Sequence, residues 1–495
     1  VKNPAIVKVK NKLMPTLTFD KESYNVQINK NTSFSVKLKN YEGVGEQDVT
    51  GTVIYELGNP EIASISTSGA ITGLAVGTTT VSAIMAGSEI EPAVALITVS
   101  PVASVTSKPA ESPIGQILVD NKIIKNIYKS DVIAKDNIYT FTADKSGKNA
   151  KLWLNSNFYG DLADDYPGKI VKFKWNSGSY SLPLNCKEVL KEIDNSAEKV
   201  SIIIENVNDS KIIKAAQKSA ENMGSEIISD LIDFSVIVEK NRENKEIHSL
   251  DFYAERTINK PDKTDKDIST AMKFIENKEY LTFAPSVFDN SACTIKYRGN
   301  GIFTVVKNYR TFNDISNHWA RKNIERLATR NIAFGRENNN FTPDDFITRA
   351  EFAVMITRAL GITEEEGSDG FSDVSAEWYA EDIKTAFKSN LISGKNDGKF
   401  HPNEKIQRKD MAVIIDNALK FAGMSFNVPD IDYVLANFND NKSITDYARN
   451  SIAVCAETGI IKGRDTNNFD PDDFASRAEA SAIIERMLAY LKFID

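Results

Sequence analysis

The sequence predicts a multidomain protein: an all-β sandwich first, an α+β middle region next, and a mainly α-helical C-terminal part. Three observations carry this. The chain has 495 residues, of which 41% are apolar and 26% charged, a folded composition too long for one hydrophobic core. Residues 15–101 are short β-branched runs separated by Gly and Pro turns. Residues 310–495 repeat one pattern three times.

In the first region, Tyr24 to Ile28 and Ser33 to Leu38 alternate apolar and polar side chains, as half-buried strands do. Asn59 to Ile65, Ser68 to Gly73 and Gly77 to Ala83 follow, each bounded by a turn signal. Strands this short and closely spaced point to an antiparallel sandwich. Their order resembles the group 2 bacterial immunoglobulin-like (BIG2) domain. The resemblance rests on Asn59-Pro60-Glu61-Ile62-Ala63-Ser64-Ile65, Gly69-Ala70-Ile71-Thr72-Gly73 and Gly77-Thr78-Thr79-Thr80-Val81. It implies an Ig-like spacer or adhesive module, and the fold alone decides neither role.

Residues 101–113, with Ser104, Ser107, Pro109 and Ser112, have the composition of a linker. From 113 to 309 the pattern mixes strands (Ile138 to Phe141, Ile170 to Trp175, Val200 to Ile204, Phe234 to Val238) with helices over 186–194 and 209–222. Further strands are expected near 247–258, 280–285, 292–297 and 302–306. The stretch from Leu281 onward resembles a domain found directly before S-layer homology repeats in large surface proteins. A structural role is the expectation: G-x-S-x-G, H-E-x-x-H and phosphate-binding glycine loops are missing from the sequence, so no catalytic residues are assigned and no enzyme is expected.

The repeats have three stations. Phe-x-Asp comes first with an aromatic and an alanine after it; then a glycine; then Phe-x-Pro leading to an arginine. The first copy has Phe312, Asp314, Trp319-Ala320, Gly335, Phe341, Pro343 and Arg349. The second has Phe371, Asp373, Trp378 before Tyr379-Ala380, Gly394, Phe400, Pro402 and Arg408. The third has Phe438, Asp440, Tyr447-Ala448, Gly463, Phe469, Pro471 and Arg477. Glycine to arginine is 14 residues in every copy. Each unit reads as helix–loop–helix. Ala320, Ile324, Leu327 and Ala328 make an apolar stripe, Gly335 is expected to end that helix in the left-handed conformation, and Thr348 with Glu351 and Ser476 with Glu479 form capping boxes. Gln407 is a poor cap.

"FNDISNHWA" and "ITRAE" resemble the hallmark of the S-layer homology (SLH) repeat, which sets the boundaries 310–366, 367–425 and 434–493. The resemblance implies a pseudo-threefold SLH trimer that binds a secondary cell-wall polysaccharide attached to peptidoglycan, often pyruvylated. It also implies an extracellular place in the cell wall or S-layer of a bacterium, and self-association in a surface layer as a further partner.

Charge agrees with a few placed cations rather than a basic surface. Net charge is −8, and residues 310–495 hold 23 Lys+Arg against 30 Asp+Glu. Nucleic acid is not an expected partner. No apolar run approaches the roughly 18 residues of a membrane helix, and the last residues carry no lipidation signal, so attachment should be non-covalent. Cys186, Cys293 and Cys455 read as buried free thiols, His248, His318 and His401 lie apart, and no metal or cofactor is expected. The acidic turn at Asp465 and Thr466 lacks the glycine and glutamate of a calcium loop.

An arginine in the first turn of a helix is mildly unfavourable, by about 0.3–1 kcal/mol. Arg349, Arg408 and Arg477 repeat that placement, so something compensates. One candidate is an anionic sugar taken by guanidinium and unpaired helix amides. The other is an internal ion pair with Asp314, Asp373 or Asp440. Trp319 and Trp378 are open in the same way: sugar-stacking faces or, more commonly for such positions, core. Gly335, Gly394 and Gly463 complete the candidate polysaccharide site. The third copy has Ala475 where its siblings have Ile347 and Ile406, so at least one groove is expected to bind weakly. The alternatives to an anchor are a wall-anchored polysaccharide-degrading enzyme and an adhesin using the Ig-like domain.

Overall fold

A computed structural model describes residues 14–39, 45–101, 112–194, 196–262, 264–363, 370–374, 377–464 and 467–495. The expected linker therefore lies, over 102–111, outside the described residues, as does the turn at 465–466. The chain forms two compact units, Val1–Glu111 and Ser112–Asp495.

The first unit is sheet-rich. One sheet runs in the order Ser23–Gln27, Ala93–Ser100, Gly77–Ile84, Ile54–Leu57, with smaller sheets from Thr16–Phe19, Val36–Lys39 and Gln47–Asp48 and from Asn31–Ser33, Ala70–Gly73 and Ala63–Ile65. Alternation along these strands points Val36, Ile71, Val81 and Ile97 into one core, all fully buried. The expected single strand from Ser33 to Leu38 is two strands in different sheets, because Phe34 and Ser35 turn the chain between them.

The second unit joins the middle region to the repeats. A ten-stranded and a seven-stranded sheet face each other over a core that includes Phe173, Tyr180, Ile202, Phe234 and Phe303, with Tyr180 edge-on to Phe234 at 6.1 Å. Three helices decorate them: α1 Ser156–Asp165, which the sequence reading missed, α2 Lys187–Glu192 and α3 Ser210–Asn222. α1 carries a glycine and two closing aspartates, so its helical signal is weak, yet Asn155 caps it and Tyr159 and Leu162 are buried. The three cysteines are free and buried.

The repeats supply α4 Arg321–Thr329 and α5 Arg349–Ala359, then α6 Ala380–Lys388 and α7 Arg408–Phe421. The third adds a short α8 Ile431–Leu435 before α9 Asp446–Glu457 and α10 Arg477–Tyr490. Ala320, Ile324, Leu327 and Ala328 are fully buried, and both capping boxes form, while Gln407 makes no cap hydrogen bond. The first helix of each repeat packs on the second helix of the one before it, α6 on α5 and α9 on α7, and α4 closes the cycle on α10. Three main-chain bonds close another ring: Ile347 donates to Ala475 (3.0 Å), Ala475 to Ile406 (3.2 Å), and Ile406 to Ile347 (3.2 Å). Ala475 is thus a core residue of that ring and not a groove residue.

The sheets seat this bundle from its C-terminal end. Tyr253 Oη donates to the Leu360 carbonyl that caps α5 (2.8 Å), Arg298 Nη1 donates to the Phe421 carbonyl of α7 (3.0 Å), and Tyr253 packs on Phe493 beyond α10 at 4.7 Å. Ala216, Leu281 and Phe283 of the middle region belong to the same hydrophobic core as the repeats. No described helix is long and apolar enough to cross a membrane.

Candidate functional site

The repeated glycine is required by space, not by its own backbone angle. A Cβ at Gly335 would lie 2.5 Å from the Phe312 ring, at Gly394 2.7 Å from Phe371, and at Gly463 3.0 Å from the Asn468 carbonyl. The left-handed residues that end the first helices stand four positions earlier: Asn331 (φ 55°), Asn390 (φ 55°) and Gly459 (φ 67°). This corrects the expectation for Gly335. Asparagine tolerates the left-handed region nearly as glycine does, so residue type at the later position misled.

The three aspartates build a strained turn. Asp314 accepts the Phe341 and Thr342 N–H groups (2.8 and 2.7 Å), Asp373 those of Phe400 and His401 (2.9 and 2.7 Å), and Asp440 those of Phe469 and Asp470 (2.8 and 2.7 Å). Thr342, His401 and Asp470 are left-handed, at φ 53°, 58° and 54°, an unfavourable state for a β-branched threonine. The bidentate carboxylate compensates for it.

Each arginine then reaches into the next repeat. Arg408 Nε donates to the Phe469 carbonyl (2.8 Å), Nη2 to the Lys462 carbonyl (3.1 Å) and Nη1 to Glu479 (3.1 Å). Arg477 does the same to Phe341 (2.9 Å), Phe334 (2.7 Å) and Glu351 (2.7 Å), which closes the cycle from third repeat to first. Arg349 bonds the carbonyls of Phe400 (2.9 Å) and Ser393 (3.2 Å), but Asp410 stands 3.7 Å away, beyond a good hydrogen bond. Each guanidinium also lies over the phenylalanine ring, at 4.8, 5.2 and 4.5 Å for Arg349, Arg408 and Arg477. Burial pulls all three guanidinium pKa values down, and the facing carboxylates oppose it.

Two expectations change here. The ion-pair partner is the acid in the first turn of the next repeat's second helix (Glu351, Asp410 or Glu479), not Asp314, Asp373 or Asp440. Nor are the first helix amides unpaired: Arg349, Arg408 and Arg477 N–H groups donate to the carbonyls of Glu404, Asp473 and Asp345 at 2.8–2.9 Å. A sequence cannot show that a turn from another repeat lies over a helix start.

The tryptophans are not core. Trp319 and Trp378 are each 62% exposed, and Tyr447 59%. The buried position beside each is taken by the next residue, Ala320 after Trp319 and Tyr379 after Trp378. At one of the glycines, a groove draws on all three repeats. At Gly463 a cavity of about 700 Å³ is lined by Trp319 of the first repeat, Arg408 of the second, and Arg464, Glu479 and Arg486 of the third. Arg408 has five N–H donors, is almost wholly buried, and spends three of them on these protein partners. At the first repeat the corresponding Phe334, Arg358 and Trp378 line a cavity of about 900 Å³. At Gly394 the aromatic is Tyr447, whose Oη donates to Asp410 (2.7 Å), the acid that faces Arg349.

Arg464 and Arg336 were missed from the sequence. Arg464 bonds Asp473 (2.6 Å) and shares Glu479 with Arg408, and Arg336 bonds Asp345 (2.6 Å) and shares Glu351 with Arg477. The signal was the residue following the repeated glycine, a cation in every copy. Among the described residues no group of three or more His, Cys, Asp or Glu could hold a metal ion.

Comparison with known proteins agrees with the repeat geometry. The S-layer homology domain matches residues 311–353, 370–412 and 437–481, so the chain carries three such repeats. It is 30% identical over 375 residues to an amylopullulanase of Thermoanaerobacterium thermosulfurigenes, covering 72% of this chain and 19% of that protein. It is 42% identical over 186 residues to exoglucanase XynX of Acetivibrio thermocellus, covering 37% and 17%. A surface-layer 125 kDa protein of Lysinibacillus sphaericus is 28% identical over 181 residues, covering 36% and 14%. The chain thus spans about a fifth or less of the length of these relatives. The repeats and the surface-layer relative make this an extracellular, wall-associated protein. The expectation of no enzyme is overturned, because two of these relatives are named as glycan-degrading enzymes.

Proposed function

We propose that this chain fastens a polysaccharide-degrading enzyme to the bacterial cell wall without a covalent bond. Its repeats act as a pseudo-threefold unit that grips an anionic secondary cell-wall polysaccharide, and its first unit acts as an Ig-like spacer. The observation that carries the binding is the Gly463 groove, which Trp319, 62% exposed, lines together with Arg408, Arg464 and Arg486. An aromatic face suits the apolar side of a pyranose, and a guanidinium suits a carboxylate such as a pyruvate ketal.

In this reading Arg408 with Trp319 serves the groove that takes the anionic unit, Trp378 borders a second groove, and Arg349 serves a weaker third. Gly335, Gly394 and Gly463 serve the grooves by letting the bordering main chain pack against Phe312, Phe371 and Phe438. Asp314, Asp373 and Asp440 act through the turns that carry the arginine-bound carbonyls. The enzyme assignment is supported by the amylopullulanase alignment, which is longer than the whole stretch from residue 311 to the end and so takes in part of the chain before the repeats.

The test is a pull-down of the whole chain on native wall sacculi, before and after chemical removal of the secondary polymer. Binding should vanish with the polymer and fall with Trp319→Ala. Undiminished binding to stripped peptidoglycan would reject the anchor reading. Release of reducing ends from a soluble polysaccharide by the full-length, wall-bound protein tests the enzyme; inactivity across glucans and xylans would reject it. Membership of a surface layer is a second reading, favoured by the surface-layer relative, and concentration-dependent self-association in light scattering would support it.

A further inference from the structure

The cavity beside Trp378 has a wall that its counterpart at Gly463 lacks. Tyr280, Thr282 and Phe283, from the strand Tyr280–Ala284 of the ten-stranded sheet, line it together with Trp378 and Arg358 of the repeats. Tyr280 is 37% exposed and Phe334, between Arg310 (5.7 Å) and Arg358 (4.8 Å), is 41% exposed. The cavity is therefore open, and it offers aromatic surface from both the sheet and the repeats.

Charge separates the two cavities further. At Gly463 the lining holds four cations (Arg408, Lys462, Arg464, Arg486) and two acids (Asp470, Glu479). Beside Trp378 the described residues of the lining hold three cations (Arg310, Arg358, Lys384) and three acids (Glu377, Glu381, Asp382). Two of those acids are already matched, Asp382 by Arg358 (3.0 Å) and Glu381 by Lys278 (3.0 Å). A balanced, hydrogen-bonding lining with aromatic faces suits hydroxyls, not a free anion. Its volume of about 900 Å³ lies in the upper part of the roughly 300–1,000 Å³ range of ligand pockets, more than one pyranose needs.

We propose that this cavity is a composite site for the uncharged sugar units of the wall polysaccharide, with the sheet domain as half of the site. This rests on the anchor reading above and deepens it. The Gly463 groove takes the anionic unit, and the composite cavity takes a neutral stretch of the chain. The sheet domain's grip on the C-terminal ends of α5, α7 and α10 holds Tyr280 opposite the repeats, so the wall is rigid.

Two probes separate the claims: native wall polysaccharide, and the same polymer stripped of its acidic substituents by mild acid. Each is titrated into the whole chain, into Trp319→Ala, and into Trp319→Ala carrying Tyr280→Ala or Tyr280→Leu. The leucine keeps the aliphatic packing if the alanine loosens the strand. Trp319→Ala should still bind stripped polymer, with little salt dependence because the sugar units taken are uncharged. Adding either Tyr280 change should weaken that binding by about fivefold to tenfold. The composite site is overturned if the unmodified chain binds native polymer but not stripped polymer, or if both Tyr280 variants bind stripped polymer like their parent. Failure of the unmodified chain to bind native polymer would instead overturn the anchor reading itself.

Discussion

The loops at Gly463 and Gly394 are built from the same template and keep the same arginine clamp, but differ in the acid, the aromatic and the cations around it. At Gly463, Glu479 is long enough to bond Arg408 and Arg464 together, and Trp319 stands free beside them. At Gly394 the acid is the shorter Asp410, 3.7 Å from Arg349 and tied to Tyr447. The cation after the glycine is Lys395, which pairs with Glu404 instead, and Asn417 replaces the arginine found at Arg486. One methylene decides much of this. A repeat can keep the inter-repeat clamp and yet tie its aromatic to the facing acid.

The largest test of that contrast is stability. Arg408→Ala should cost about 3–5 kcal/mol in denaturant unfolding of the second unit, because it strands the Phe469 and Lys462 carbonyls and removes one of the two guanidinium groups on Glu479. Arg349→Ala should cost about 1–2 kcal/mol less, since Asp410 at 3.7 Å makes no hydrogen bond to it that could be lost. Equal losses would mean the carboxylate bond contributes nothing.

Binding comes next. Trp319→Ala and Trp378→Ala should each weaken binding to wall polymer by about tenfold without moving the melting temperature, as their rings are mostly exposed. Tyr447→Ala should leave binding within about twofold. A Tyr447 effect as large as the tryptophans' would make the three grooves equivalent.

The contrast can also be repaired. Gln407→Thr with Asp410→Glu recreates the capping box that the other two repeats possess, and should add about 1 kcal/mol. Calorimetry would read it as a rise of a few degrees; no rise would mean that the cap of α7 is not limiting.

The smallest effect concerns acid. Burial raises the Asp373 carboxyl, but the Phe400 and His401 amides outweigh it and hold the folded value below the usual range. The stabilisation is thus complete above the unfolded value of about 3.9 and is lost as pH falls through the lower folded value. Asp373→Asn should flatten the acid limb of the melting-temperature profile. An unchanged limb would show that this turn does not report on pH.

Periodicity was enough to find the repeats, their helices and two capping boxes, because these depend on residues three to eight apart. It also singled out the arginines, aspartates and glycines as positions under constraint. Their partners were not legible. Arg477 meets Phe341, Phe334 and Glu351, all more than a hundred residues earlier. Likewise α1 has little intrinsic helical preference and forms where a strand leads into a capped turn.

By itself, the sequence determined where hydrophobic stripes, caps and turns recur, since local chain geometry is set by neighbouring residues. Only the tertiary structure decided that the arginines clamp the next repeat, that the tryptophans face solvent, and that a sheet domain walls one groove. Those outcomes depend on which distant surfaces meet once the apolar stripes are buried together.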